Sequence, residues 1–258
     1  MDVLLLADVF ENFRKMGMEY YGLDALHYYT LPGFTLDACL KKTKQSLKLL
    51  MSSEHLLFFE NSIRGGISVV SHRHAKANNP MVPDYNPDDV NSWLLYLDAN
   101  NLYGHAMSSF LATSDFRLLT EDEISSFDVS KTSPTDGTGY VLEVDLVYPR
   151  ELHDLHSDYP LAAEKLKITR DMLSPYSESL VGERFMAQEK LSPNLYDKTK
   201  YVTHYENLKF YLESGMKVKK IHRIMSFTQS DWIRTYIDFN TQKRREATSP
   251  FLQTSSKT

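Results

Sequence analysis

Tyr96-Leu97-Asp98-Ala99-Asn100-Asn101-Leu102-Tyr103 is the stretch on which the reading of this chain turns. Apolar residues from Trp93 onward predict a short strand over 93–98 that ends in an acid. The asparagines that follow predict a turn passing into a helix over 100–110. A carboxylate at the end of a buried strand is costly unless a cation meets it. Magnesium suits such a position, because it takes one or two carboxylates and completes its shell with phosphate oxygens. The backbone N–H groups of Asn101, Leu102 and Tyr103, at a helix start, would then hold a triphosphate. Tyr103 would lie beside the sugar, where a ring excludes a 2′-hydroxyl. The plainer alternative is a strand-end aspartate capping its own helix, and the octet alone leaves both readings open.

Around this octet the chain has the makings of a folded domain. It runs to 258 residues with 42% hydrophobic and 24% charged residues, enough apolar material for one large core or two modest ones. Its 13 Phe, 16 Tyr and 2 Trp exclude a wholly disordered chain, and only 10 Gly and 10 Pro exclude a collagen-like or linker sequence. A lone cysteine, Cys39, makes no internal disulfide, and no apolar run is long enough to cross a bilayer. The opening Met1-Asp2-Val3 puts an acid where a signal peptide carries positive charge. A soluble chain in a reducing intracellular compartment, or a piece of one, is therefore expected, with no membrane partner. The net charge of −5 hides an asymmetry: residues 201–258 hold 10 Lys and Arg against 5 Asp and Glu, whereas the preceding 200 residues are acidic. A basic quarter on an acidic remainder points to a local anionic partner, or else to a solvated helix face.

Element by element, apolar spacing predicts a helix over 2–21 stopped by Gly22 and a second helix capped by Thr35 after Pro32-Gly33. A third begins near Ser53 and runs to Arg64-Gly65-Gly66, and 67–70 reads as a strand. Residues 74–89 are loop-like and mark a boundary. Thr120 with Glu123 predicts a capping box. Strands are expected over 140–147, with Glu143 and Asp145 on one side, over 200–204 and over 216–227. A helix over 205–214 ends at Gly215, and Ser230 is expected to cap a last long helix. This mixture with hairpin-like strand spacing predicts an α+β fold.

The octet resembles the first polymerase motif of family B DNA polymerases, Asp-x-x-Ser-Leu-Tyr-Pro, and is most similar to the protein-primed branch. Asn101 stands for the serine and Gly104 for the proline. Further stretches carry the likeness. Asp2-Val3-Leu4-Leu5-Leu6-Ala7 resembles the end of the third exonuclease motif, whose aspartate is a metal ligand. Ile63-Arg64-Gly65-Gly66 resembles the Tyr-x-Gly-Gly element that contacts the template strand. Leu142-Glu143-Val144-Asp145-Leu146, Tyr148-Pro149 and Leu152-His153-Asp154-Leu155-His156 are also similar to this branch, and the helix from Tyr236 through Lys243-Arg244 resembles the opening of the fingers.

The resemblance implies a partial polymerase palm, an antiparallel sheet with flanking helices. It implies an exonuclease remnant over 1–62, a connector over 63–92, the palm with an insertion over 93–228, and the start of the fingers over 229–258. The implied activity is template-directed transfer of a deoxynucleotide to a primer 3′-hydroxyl by two magnesium ions. Asp98 and the backbone carbonyl of Ala99 would be metal ligands, with Asp2 as the exonuclease relic. Asn101, Leu102, Tyr103, Arg244 and, second, Lys243 would take the nucleotide, and Arg64, Gly65 and Gly66 the DNA. Implied partners are template and primer DNA, a dNTP and a terminal protein primer.

The 258 residues contain neither Asp-Thr-Asp nor Lys-x-x-x-Asn-Ser-x-Tyr-Gly, the motifs that complete the family's site, although Lys257 falls near where that lysine would stand. A fragment inactive by itself is therefore expected, and a non-catalytic DNA-binding remnant is the alternative. A metal-dependent nuclease using Glu143 and Asp145 beside Asp98 ranks last. His153, Asp154, His156 and Asp158 lack a matching second pair of ligands, so a structural role is expected for them, and His72 with His74 suits phosphate better than a cation. The central expectation is geometric: Asp98 buried at a strand end, facing the guanidinium of the last helix.

Overall fold

The computed structural model describes residues 2–247. Three helices come first, α1 (Asp2–Tyr21), α2 (Leu31–Thr43) and α3 (Ser53–Glu60). After a long connection follow α4 (Leu102–Met107), β1 (Leu111–Leu118), α5 (Glu121–Ser126) and β2 (Thr138–Val147). An excursion holds β3 (Glu164–Ile168), α6 (Pro175–Val181) and β4 (Gln188–Ser192). The chain closes with β5 (Lys198–His204), α7 (Tyr205–Glu213), β6 (Lys217–Ser230) and α8 (Arg234–Glu246). The fold is α+β: β1, β6, β2 and β5 form one antiparallel sheet in that order, and β3 pairs with β4 separately.

Strand alternation divides the core between the two faces of this sheet. Leu142, Val144 and Leu146 of β2 join Ile224, Tyr205 and Leu208 on the face covered by α7. Val141 turns the other way and meets Val202, Met225, Phe227 and Phe58 of α3. A third cluster, Ala38, Cys39 and Tyr236 with Tyr21 and Trp232 against it, joins α1, α2 and α8. Burial raises the Cys39 thiol above its ordinary value, so it behaves as a small packed hydrophobe.

Two charged side chains, half-buried Arg223 and buried Lys198, fasten these parts together. Arg223 forks onto Glu143 at 2.9 and 3.1 Å, reaches Glu54 of α3 at 3.3 Å, and lies over the Phe58 ring. Lys198, wholly buried in β5, holds Glu164 at 2.8 Å and the Asn194 side chain, tying the excursion to the sheet. Burial lowers the Lys198 pKa, against the opposing pull of Glu164.

Several expectations stand: α1, the third helix from Ser53, β2, β5, α7, β6 and the Thr120–Glu123 capping box. Others are corrected. Thr30, not Thr35, caps α2, and Pro32 occupies the first turn, where its missing N–H is no loss. Ser230 ends β6 rather than capping α8, whose N-cap is Ile233 with no side-chain bond. Residues 67–70 form no strand.

Nor do residues 93–98 form one: Trp93, Leu94, Leu95, Tyr96 and Leu97 are 63–93% exposed, and Asp98 is exposed with them. An extended apolar segment becomes a strand only with a partner edge, and no described strand pairs with this one. The Lys48 N–H bonds Thr113 of β1 at 2.9 Å, and the Arg64 guanidinium bonds the Val202 carbonyl of β5 at 2.5 Å. The tail over 249–258, with Lys257, lies outside the described residues.

Candidate nucleotide and nucleic-acid interface

The turn after Asp98 is built by Asn101. Its backbone is left-handed (φ 54°), a conformation asparagine tolerates better than most residues. Its side-chain oxygen accepts the Gly104 N–H at 3.3 Å and its carbonyl accepts the His105 N–H at 3.0 Å, so Asn101 is the N-cap of α4. Gly104 is buried, and a Cβ there would run into the Asn101 amide. The departures of Asn101 and Gly104 from the family pattern thus belong together: the cap needs an N–H at position 104, which proline lacks. Leu102 and Tyr103 stand 62% and 85% exposed on the first turn, where helical N–H groups have no intrahelical acceptor.

α4 packs against α8, so the octet and the basic helix end lie on touching elements. There the two predicted cations differ. Lys243 turns toward α1, 5.1 Å from the Tyr20 ring centroid, and pairs with Glu246 at 3.3 Å. Arg244 is exposed and, among the described residues, makes no ion pair or ring contact. Of the two, Arg244 keeps its guanidinium open to a ligand.

The other predicted residues are not gathered here by any described contact. Arg64 stacks on Tyr201 with 3.9 Å from guanidinium carbon to ring centroid and bonds Val202, so it is a half-buried clamp on β5 rather than a free phosphate ligand. Gly65 and Gly66 are exposed with open space where a Cβ would stand, and Gly66 has φ +84°, so the backbone is open to close approach. Asp2 is exposed at the start of α1, and Ala99 is exposed beside Asp98.

Among the described residues no three His, Cys, Asp or Glu side chains gather as a metal site. Asp98 is one available oxygen ligand, and this donor set does not make a two-metal centre. Glu143 is spent on Arg223, while Asp145 takes the Lys200 N–H at 2.8 Å and lies 2.9 Å from His222, which leaves the nuclease reading without its carboxylates. His156 bonds the Tyr148 hydroxyl and His153 the Tyr148 carbonyl, the structural role expected of them, whereas His72 pairs with Asp158 at 3.3 Å. No helix among the described residues is long and apolar enough to cross a membrane.

No protein family's sequence pattern matches the chain, and no curated protein does. Among solved structures, the chain is similar to Phi29 DNA polymerase in an orthorhombic crystal form, at 13% identity and a TM-score of 0.48. It is also similar to Phi29 DNA polymerase complexed with primer-template DNA and incoming nucleotide substrates, at 12% identity and a TM-score of 0.45. Each alignment covers 90% of this chain and 35% of the other, so the chain spans about a third of their length. Likenesses this distant fix neither the fold nor the chemistry, which rest on the residues themselves.

Proposed function

We propose that this chain is a segment of a DNA-directed DNA polymerase carrying the first acidic polymerase motif, and that it transfers no nucleotide by itself. One observation carries the reading: the octet that resembles that motif opens a capped helix, α4, which packs on the helix bearing Arg244. In this reading Asp98 supplies one ligand to magnesium, which when bound would neutralise triphosphate charge. The first N–H groups of α4 and Arg244 orient the phosphates, and the Tyr103 ring excludes a 2′-hydroxyl.

The exposure of Asp98 outside the sheet favours a second reading, a DNA-binding segment without catalysis. The premise of a buried strand-end acid does not hold in this structure, so a preformed active site is no part of either reading.

Primer extension tests the first claim. The 258-residue chain with primer-template, dNTPs and magnesium is expected to give no product above background, and Asp98→Asn is expected to change nothing. Magnesium-dependent incorporation that disappears with Asp98→Asn would show instead that these residues make a complete site.

A further inference from the structure

Three cations of the basic quarter, Lys217, Lys219 and Lys220, lie on β6 and not at the end of α8. β1 pairs with β6 only from Met225 to Ser230, so the opposite end of the sheet consists of β2, β5 and the first half of β6. In the register there, Lys220 lies opposite Asp145 and Lys217 opposite Val147, while Lys200 of β5 gives its N–H to Asp145. Lys200, Lys217, Lys219 and Lys220 are all exposed, and among the described residues none of their ammonium groups has an ion pair or hydrogen bond.

The acids in these rows accept other donors, and Asp145 is also close enough to Lys219 to feel its charge. Asp145 serves the Lys200 N–H and His222, Asp197 accepts the Tyr148 N–H at 2.7 Å, and Glu143 holds Arg223. Four ammonium groups outnumber the Asp145 carboxylate that lies among them, so this sheet end is net positive, a cost that a polyanion relieves.

We infer that these four lysines form a docking surface for a single DNA strand, held through its phosphates. The choice of DNA as the polyanion rests on the polymerase reading; the surface itself does not use Asp98, α4 or α8. Three adjacent β-strands span about 10 Å, enough to seat one phosphate backbone, and a lone strand brings no second backbone to accommodate. Lysine contacts to phosphate carry no base information, so binding is independent of sequence.

The test is fluorescence anisotropy of a labelled oligothymidylate with the 258-residue chain over a range of salt, without magnesium. Replacing all four lysines by glutamine is expected to make the slope of log affinity against log salt shallower by about 3, at roughly 0.7 per lost contact on a single strand. The four Lys→Arg changes are expected to keep the slope, with circular dichroism confirming the fold. Should the quadruple glutamine variant fail to fold, Lys217→Gln with Lys219→Gln is expected to reduce the slope by about 1.4.

An unchanged slope in the glutamine variants overturns the inference. So does failure of the wild type to bind, or tighter binding to duplex DNA or to phosphatidylserine vesicles than to the oligonucleotide. Loss of binding through Arg244→Ala alone, with the lysine variants unaffected, overturns it too while leaving the polymerase reading intact. Asp98→Asn is expected to leave the slope where it was, so failure of the catalytic reading registers separately.

Discussion

Carrying the protein from neutral pH down to about pH 4 is expected to remove about 3 kcal/mol of stability through His204 alone. The imidazole is packed 4.6 Å from the Tyr205 ring and 6.2 Å from the Phe227 ring, where burial pushes its pKa down from 6.5 to about 4. In the unfolded chain the ring takes a proton near 6.5, and in the folded protein only near 4. Between these values the unfolded state binds more protons, so the stability present above 6.5 is lost progressively until about 4. Urea midpoints across this window, for wild type and His204→Phe, make the measurement. The variant keeps an aromatic ring in the stack and is expected to lose less stability on acidification. Parallel curves for the two proteins would assign the pH dependence elsewhere.

Replacing Arg223 by alanine is expected to cost about 1–3 kcal/mol. The Glu143 side chain is only 11% exposed, and without the fork it is left as a nearly buried, unpaired carboxylate. Arg223 itself is 40% exposed, so solvent screening keeps the effect below that of a fully buried pair. The same substitution removes the contacts to Glu54 and Phe58 that draw α3 onto the sheet. A double-mutant cycle with Glu143→Gln separates the terms: if the two residues act together, the double variant loses less than the sum of the single losses. Strict additivity would mean that the fork contributes nothing beyond each residue's own packing.

Much of this architecture was legible in residue order, for identifiable reasons. β2 carries the apolar-rich run Tyr140 to Val147 just after Gly139, β6 is long and free of glycine and proline, and the Thr120–Glu123 capping box is a strictly local signal. β1 was not legible, because bulges break its register with β6 and Asp115 adopts φ 57° within it, which spoils the alternation that marks a strand. The opposite error fell on 93–98, where local composition favours a strand and tertiary context supplies no partner edge.

Within the candidate site, the turn and helix after Asp98 were readable from Asn101 and Leu102, whereas the surroundings of the acid were not. Arg64 next to two glycines has the residue types of a phosphate contact, yet its guanidinium is taken by Tyr201 and Val202, residues far away in sequence. The lysine surface left only a faint trace, the Lys217-Val218-Lys219-Lys220 run, because the placing of Lys200 beside it depends on the register across β2.

Nuclear magnetic resonance of the isotopically labelled chain, titrated with dATP and magnesium, tests most directly whether the octet is a nucleotide site. Amide shifts are expected at Asp98–Tyr103 and around Arg244 together, weakened by Asp98→Asn and by Arg244→Ala. Shifts confined to other parts of the protein, or none at saturating nucleotide, would contradict the assignment of Asp98 and α4 to a polymerase site.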